Sequence, residues 1–171
     1  GAAALVLVAG TDRQVLEVLV EIGLEVFREC VSLEAVDFGA TKLNKLGSGA
    51  FSGCAALEAL TLSPFLDIVS SFTFNGCRSL TSVYFPKRLK GIQDSAFENC
   101  LQLRDVTFED DSLMLTISTK AFRNCASIDD IVLPTKLTDI GIYAFSGCSG
   151  MTSIILPATL KTIGHQSFYH C

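Results

Sequence analysis

The residue types best suited to chemistry are seven cysteines, and they are evenly spaced: Cys30, Cys54, Cys77, Cys100, Cys125, Cys148 and Cys171. A zinc site needs paired ligands such as Cys-x2-Cys, but successive cysteines here are 23 to 25 residues apart. If each cysteine occupies the same place in a repeat, neighbouring side chains point the same way and not toward each other. The spacing therefore predicts seven reduced thiols that are buried and pack as small apolar groups.

A second candidate centre lies at the end of the sequence, where His165, His170 and Cys171 are close together. Such a group suggests a metal triplet or a Cys/His nucleophile pair. However, His170 directly precedes a repeated cysteine and His165 occupies a variable position, so exposure is the favoured interpretation. The sequence also lacks a glycine-rich phosphate loop, G-x-S-x-G and H-E-x-x-H. We therefore predict a protein that is not an enzyme and has no cofactor or metal.

Composition narrows the possible functions further. Hydrophobic residues make up 49% of the 171 residues, which is ample for a core. The formal net charge of -5 argues against a nucleic-acid partner, because that binding rests on Lys and Arg. No apolar run reaches the roughly 18 residues of a membrane span, so no membrane insertion is expected. The longest run, Ala2 to Ala9, is predicted to be a first strand or cap in preference to a signal remnant.

The cysteines belong to a repeated Phe-x-x-Cys phrase whose phenylalanines are Phe27, Phe51, Phe74, Phe97, Phe122, Phe145 and Phe168. An L-x-x-I-x-L pattern follows each phrase up to the sixth, as at Leu80, Val83 and Phe85. The alternation in its second half predicts a short strand with one buried face. Proline follows directly at Pro86, Pro134 and Pro157, and it ends the strand because it cannot donate into a ladder.

A second apolar pair precedes each following phenylalanine and predicts a second short strand or extended turn on the opposite side of the coil. These pairs are Leu43/Leu46, Leu66/Val69, Leu89/Ile92, Met114/Ile117, Leu137/Ile140 and Leu160/Ile163. The Ala-Phe-x-x-Cys segment is too short for an independent helix, so it is predicted to be a tight turn or a single helical turn. Only neighbouring coils can cover these apolar side chains, and the period of about 23 residues indicates a solenoid.

The units resemble the BspA-like leucine-rich repeat family, whose repeat reads Ala-Phe-x-x-Cys-x-x-Leu-x-x-Ile-x-Leu-Pro-x-x-Leu-x-x-Ile-Gly. Residues 144–164 match it nearly throughout, with Met151 in place of the first Leu, and residues 121–141 match equally well. Val26, Thr73 and Ser167 depart from the expected Ala. The resemblance implies a right-handed leucine-rich repeat coil. It also implies a surface or secreted protein of bacteria or protozoa, with relatives that are adhesins for host matrix or other cells.

We predict a single repeat domain over residues 1–171. Residues 1–26 form an atypical N-terminal repeat or cap, and residues 27–171 hold six repeats and the start of a seventh, as part of a longer array. Two coils are longer, by one residue between Asp37 and Leu46 and by two between Phe108 and Ile117. The second insertion contains Glu109-Asp110-Asp111, which is predicted to be a solvated loop; binding of a cation or a partner is the alternative.

The outward residues of the first strand in each coil are the predicted binding surface, because they line up across coils. The candidates are Asp37, Thr61, Ser82, Tyr84, Asp105, Thr107, Asp130, Val132, Ser153 and Ile155. Tyr84 is the expected anchor, since Tyr is enriched at binding hot spots. The basic group Arg78, Lys87, Arg88 and Lys90 is predicted to be a solvated edge, with pairing to an acidic partner as the alternative.

The resulting hypothesis is a non-enzymatic module at the cell surface or secreted, which binds a protein or a glycan of the host matrix or of another cell. The alternative is a cytoplasmic leucine-rich repeat scaffold, since a set of free thiols suits a reducing compartment. A signal sequence or an anchor in the full-length gene discriminates between the two.

Overall fold

The computed structural model describes residues 5–8 and 19–171 and shows a solenoid whose coils contribute two short strands and a turn. The described part contains no helix. The strands are β1 Leu5–Val8, β2 Glu21–Ile22, β3 Leu33–Asp37, β4 Lys45–Leu46, β5 Ala59–Thr61, β6 Ile68–Val69, β7 Ser82–Phe85, β8 Gly91–Ile92, β9 Asp105–Phe108, β10 Thr116–Ile117, β11 Asp130–Val132, β12 Asp139–Ile140, β13 Ser153–Ile155 and β14 Thr162–Ile163. All pairings are parallel, so the predicted repeat solenoid is confirmed.

The longer strands form one side of the solenoid, and their alternation follows the sequence prediction. In β7, Val83 and Phe85 are buried while Ser82 and Tyr84 are exposed. The strands on this side do not form one continuous sheet. The strands pair in three separate groups, β1-β3-β5, β7-β9 and β11-β13. Strands of three to five residues form few ladder bonds, so a small offset between coils is enough to interrupt the ladder.

The second strand series is also present, as the apolar pairs predict. Its main part is a five-stranded parallel sheet in the order β14-β12-β10-β8-β6, and β2 pairs separately with β4. In β6, β8, β10 and β12 the inward residue is fully or almost fully buried; these residues are Val69, Ile92, Ile117 and Ile140.

The N-terminal apolar run supplies β1, which pairs with β3, so the expected first strand is present. The predicted atypical repeat over residues 1–26 falls in part on residues 1–4 and 9–18, which lie outside the described residues.

The phenylalanine turns form a third set of hydrogen bonds between coils, which the sequence did not predict. The amide of Phe97 donates to the carbonyl of Ala121 at 2.8 Å, and the amides two residues before and after it donate to the same next coil. The same three bonds recur from each turn to the following one, from Phe27 to Phe145. We call this set the turn ladder. It provides hydrogen-bond partners for backbone N–H and C=O groups of the turns, which would otherwise be buried without partners.

The turn ladder requires an unusual backbone at two places in each coil. The residues two before and two after each phenylalanine have positive φ, for example φ 54° at Ser95 and φ 63° at Asn99. Only Gly, and to a lesser extent Asn, adopts this conformation without a steric penalty. The second of these positions is accordingly Gly53, Gly76, Asn99, Asn124 or Gly147 in the five middle coils.

The predicted phenylalanine column is confirmed. Six successive ring pairs from Phe27 to Phe168 are stacked, with centroids 5.1–5.5 Å apart and planes within 20° of parallel. The five rings from Phe51 to Phe145 have no exposed surface. Offset stacking at this distance adds to the free energy of burying the rings.

The cysteine column has a specific structural role. Each thiol from Cys54 to Cys171 donates to the carbonyl oxygen of the phenylalanine in the preceding coil, at 3.1–3.3 Å. Cysteine suits this position because it is small and apolar yet carries a weak donor. All seven cysteines are free, as predicted; five of them are buried, while Cys30 near one end is partly buried and Cys171 at the other is exposed.

Burial also suppresses the reactivity of these thiols. Desolvation raises the pKa of the Cys54 thiol to about 11, and it raises the pKa of Cys77, Cys100 and Cys148 as well. Because the thiolate is the reactive species, these groups are inert in the folded protein near neutral pH.

We predict that Phe97→Ala lowers the free energy of unfolding by about 3–5 kcal/mol, because it empties a fully buried site between two stacked rings. Phe168→Ala lowers it much less, since Phe168 is only partly buried. Denaturant titration of both variants measures the difference. Equal losses at the two sites would contradict this account of the column.

We also predict that the buried thiols resist alkylation until the protein unfolds. Intact mass after treatment with iodoacetamide should show modification first at Cys171, which is exposed, and at Cys30, which is partly buried. Denaturant should then expose all seven thiols. Native disulfides between coils, or rapid labelling of Cys100 in the folded protein, would be inconsistent with the thiol-carbonyl arrangement.

Candidate functional site

The candidate site consists of the outward residues of the longer strands and of the exposed residue that directly precedes the first of them in each coil. We call it the strand face and define it by three rows of six residues. The first row is Glu34, Glu58, Thr81, Arg104, Asp129 and Thr152; the second is Ala35, Ala59, Ser82, Asp105, Asp130 and Ser153; the third is Asp37, Thr61, Tyr84, Thr107, Val132 and Ile155. All ten predicted site residues lie on it. Each is exposed, apart from Asp37, which is partly buried.

Large apolar side chains project from the third row. Tyr84 is 54% exposed, Val132 76% and Ile155 75%. Val132 and Ile155 lie directly opposite each other in the β11-β13 pair, and Tyr84 lies opposite Thr107 in the β7-β9 pair. The strand alternation that buries Val83 and Ile131 forces these neighbours outward, so their exposure is fixed by the fold.

A groove crosses the strand face between β9 and β11, where the ladder is interrupted. Its volume is about 260 Å³, and it is lined by Asp105, Val106, Thr107, Phe108, Asp130 and Val132. Val106 is 5% exposed and Phe108 is partly buried, so the lining on the β9 side includes two apolar residues. The carboxylates of Asp105 and Asp130 belong to the two strands that border the groove.

The excess of negative over positive charge in the chain lies on this face. The three rows contain six carboxylates, at Glu34, Asp37, Glu58, Asp105, Asp129 and Asp130, and one guanidinium, at Arg104. The whole chain has 18 acidic and 13 basic residues. Subtracting the six and the one leaves equal numbers of acidic and basic residues elsewhere. The strand face therefore accounts for the net negative charge of the protein.

The carboxylates on the strand face share a lack of basic partners among the described residues. Within the described part of the chain, none of the six forms an ion pair. Away from this face, Asp67 pairs with Arg88 at 2.6 Å and with Lys90 at 3.8 Å. The hydrogen bond from Arg88 lowers the pKa of the Asp67 carboxyl. Of the ten acidic residues described away from this face, five form an ion pair, whereas none of the six on the strand face does.

The predicted basic group does not form a single patch. Lys87 reaches Asp111 at 3.4 Å, and Arg88 and Lys90 share Asp67. Arg78 instead borders a cleft of about 250 Å³ on the turn side, with Asn75 and Asn99 among its lining residues.

The acidic insertion at residues 109–111 lies between this edge and the strand face. Glu109 accepts a hydrogen bond from the amide of Lys87 at 2.8 Å. Partial burial raises the pKa of the Tyr84 hydroxyl, and the carboxylates of Glu109 and Asp110 raise it further. The insertion therefore extends the negative field of the strand face to the surroundings of Tyr84.

The terminal histidines and cysteine have separate neighbours. His165 meets the ring of Tyr143 edge-on at 6.1 Å, and the ring of His170 lies 3.9 Å from that of Tyr169. The thiol of Cys171 donates to the carbonyl of Phe145. Across residues 5–8 and 19–171, no group of three or more His, Cys, Asp or Glu side chains is placed to hold a metal ion.

The same residues include no helix with the length and apolarity of a membrane span.

A larger cleft of about 530 Å³ lies on the turn side and is lined by Lys120, Arg123, Asn124, Tyr143, Ser146, Gly147, Gln166, Tyr169 and His170. The cleft has two permanent positive charges, at Lys120 and Arg123. Arg123 forms an ion pair with Glu98 at 3.1 Å, which offsets one of them. The cleft is therefore mostly polar and only weakly cationic.

Two parts of the strand face were missed from the sequence. The acidic first row was overlooked because only the residues that alternate with buried positions were considered. Its signal is present in the repeat alignment, where Glu34, Glu58 and Asp129 occupy the same position. The groove above Val106 and Phe108 has no signal of its own, since it arises from an interruption between coils.

Comparison with known proteins agrees with this architecture. The BspA type leucine rich repeat region matches residues 12–115 and 115–171, in six copies. A search of curated proteins finds no match.

Solved structures of bacterial proteins are also similar to this chain. A leucine rich cell surface protein from Faecalibacterium prausnitzii is 29% identical, with a TM-score of 0.65 over 78% of this chain and 35% of that one. A leucine-rich repeat protein from Eubacterium ventriosum is 26% identical, with a TM-score of 0.61 over 83% and 33%. A leucine-rich repeat protein from T. pallidum, 21% identical, shares the fold with a TM-score of 0.60 over 88% and 79%.

The chain spans about a third of the length of the first two of these proteins. The family match, by contrast, extends over most of this chain and coincides with the coils seen in the structure. The chain belongs to the BspA-type leucine-rich repeat family.

Proposed function

We propose that this chain is a non-enzymatic binding module that engages a protein partner on its strand face. The observation that carries the proposal is the exposure of Tyr84, Val132 and Ile155 in one row of a rigid face. Protein interfaces concentrate their binding energy in a few aromatic and aliphatic anchors that are surrounded by polar groups. Here Thr61, Thr107 and the second-row carboxylates provide those polar surroundings.

The alternation of the strands supports a role in binding over a role in stability. A solvated sheet face needs no Val or Ile at positions that project outward, and large exposed apolar groups in one place often mark interaction sites. Val132 lies on β11, which has β9 on one side and β13 on the other. Its side chain is nevertheless 76% exposed. A glycan partner remains the alternative occupant, and the experiment below includes one.

We place the module at the cell surface or in secretion, as an adhesin-type segment. The support is that one similar protein, from Faecalibacterium prausnitzii, is described as a cell surface protein. The alternative is an intracellular scaffold, which the seven free thiols favour. Protease treatment of intact source cells discriminates between the two, because only a surface protein is cleaved before the cells are lysed.

The direct test is surface plasmon resonance of the 171-residue chain against a panel of purified extracellular matrix proteins and polysaccharides. A specific protein ligand whose binding depends on the strand face supports the proposal. Binding that survives the strand-face variants but is lost when Arg78, Lys87 and Arg88 are replaced would move the site to the basic residues.

For a protein ligand found in that panel, we predict that Tyr84→Ala weakens binding by about 1–2 kcal/mol or more, because an interface anchor is removed. The stability should change little, since the side chain is 54% exposed. Tyr169→Ala is the matched control, because Tyr169 has a similar exposure of 49% but lies on the turn side. Equal effects of the two substitutions would argue against the strand face as the binding surface.

A further inference from the structure

We propose that the occupant of the strand face is a cationic protein segment that places an Arg or Lys side chain in the groove between β9 and β11. This inference rests on the proposed function and specifies the chemistry of the partner. It depends on the groove, on the excess of negative charge on the strand face and on the exposed apolar row, each of which is a separate feature of the structure.

The charge distribution selects the sign of the partner. Charged groups across an interface are arranged in complementary patterns, which steer association and exclude wrong partners. The strand face has six carboxylates against one guanidinium and no ion pair among the described residues, while all six ion pairs of the described part lie elsewhere. An acidic or neutral ligand would leave these carboxylates desolvated without a counter-charge.

The groove matches a long basic side chain in shape and in polarity. The aliphatic stem of Arg or Lys packs well on apolar surface while its charged head stays at a polar rim. Val106, Phe108 and Val132 supply the apolar lining, and Asp105 and Asp130 supply acceptors on the two bordering strands. A volume of about 260 Å³ accommodates one such side chain and does not accommodate a bulky folded element.

The hydrogen bonds of the two carboxylates leave acceptor capacity for a ligand. Oδ1 of Asp130 accepts hydrogen bonds from the hydroxyls of Ser153 at 2.7 Å and Thr152 at 3.3 Å. Within the described residues, neither Oδ2 of Asp130 nor the carboxylate of Asp105 receives a side-chain hydrogen bond. A guanidinium between the two strands can therefore bond both carboxylates, and such charge-assisted bonds are the strong ones.

The apolar row extends the same recognition on both sides of the groove. Val132 borders the groove and continues to Ile155, while Tyr84 lies beyond Thr107 on the opposite side. The face of a Tyr ring also attracts Arg and Lys, and the carboxylates of Glu109 and Asp110 lie close enough to Tyr84 to influence its titration. The expected ligand is thus an extended segment in which basic residues stand next to aliphatic ones.

The test is selection of a phage-displayed library of random linear peptides on the immobilised 171-residue chain. Selected peptides should be enriched in Arg and Lys next to aliphatic residues. The strongest peptide, made synthetically and labelled, is then titrated by fluorescence anisotropy. Its affinity should fall as salt is raised, and Asp105→Asn with Asp130→Asn should weaken binding about fivefold or more.

The matched control removes the same charge from another face. Glu29 and Asp94 are exposed and lie outside the strand face. Glu29→Gln with Asp94→Asn should change the peptide affinity less than about twofold, because charges beyond a Debye length are largely screened. A selection without basic enrichment, or equal weakening by the two double variants, overturns the inference. Displacement of the peptide by a neutral polysaccharide overturns the choice of a protein segment.

Failure of this inference is distinguishable from failure of the proposed function. If a matrix protein loses binding on Val132→Ser but is insensitive to Asp105→Asn with Asp130→Asn, the strand face binds a partner that is not cationic at the groove. If both variants leave the binding of every ligand unchanged, the strand face is not the binding surface and both proposals are wrong.

Discussion

The structure depends on bonds between coils, and the turn ladder is the most constraining of them. Each coil donates three turn amides to the next, and it also receives the thiol of the next coil on its phenylalanine carbonyl. These bonds fix the separation and the register of the turns together. Once the register is fixed, each phenylalanine can only stack on the equivalent ring of its neighbour, at 5.1–5.5 Å. Stability in such an architecture comes from neighbouring coils.

The same register determines what the strand face presents. Because inward positions are restricted to side chains that suit a core, polar and charged residues fall mainly at outward positions, and the repeat aligns these in rows. The register of β11 and β13 places Val132 and Ile155 side by side. The strand face thus combines a regular backbone with outward positions that core packing does not constrain, and sites built on strands are well suited to recognition. The unpaired carboxylates and the groove give this particular face its character.

Much of this architecture can be predicted from the sequence. The spacing of Phe97, Cys100, Val106 and Ile117 reports the inward positions directly, because burial demands the same residue types in every coil. Of the ten residues proposed from alternation, nine are exposed and Asp37 is partly buried. What the sequence does not reveal is backbone geometry between coils. The turn ladder leaves only the Gly or Asn two residues after the phenylalanine of the five middle coils as a trace, and the interruption that opens the groove leaves none.

Hydrogen exchange of the turn amides tests the central claim, that the turn ladder holds the coils in register. Buried, bonded amides exchange only through opening of the structure. The amides of Phe51, Phe74, Phe97 and Phe122 bond the next coil at 2.8 Å, so the account predicts that they are among the most protected in the protein. Exchange of these four amides as fast as that of a surface-loop amide such as Asp110 would contradict it, because the turns would then be ordinary loops.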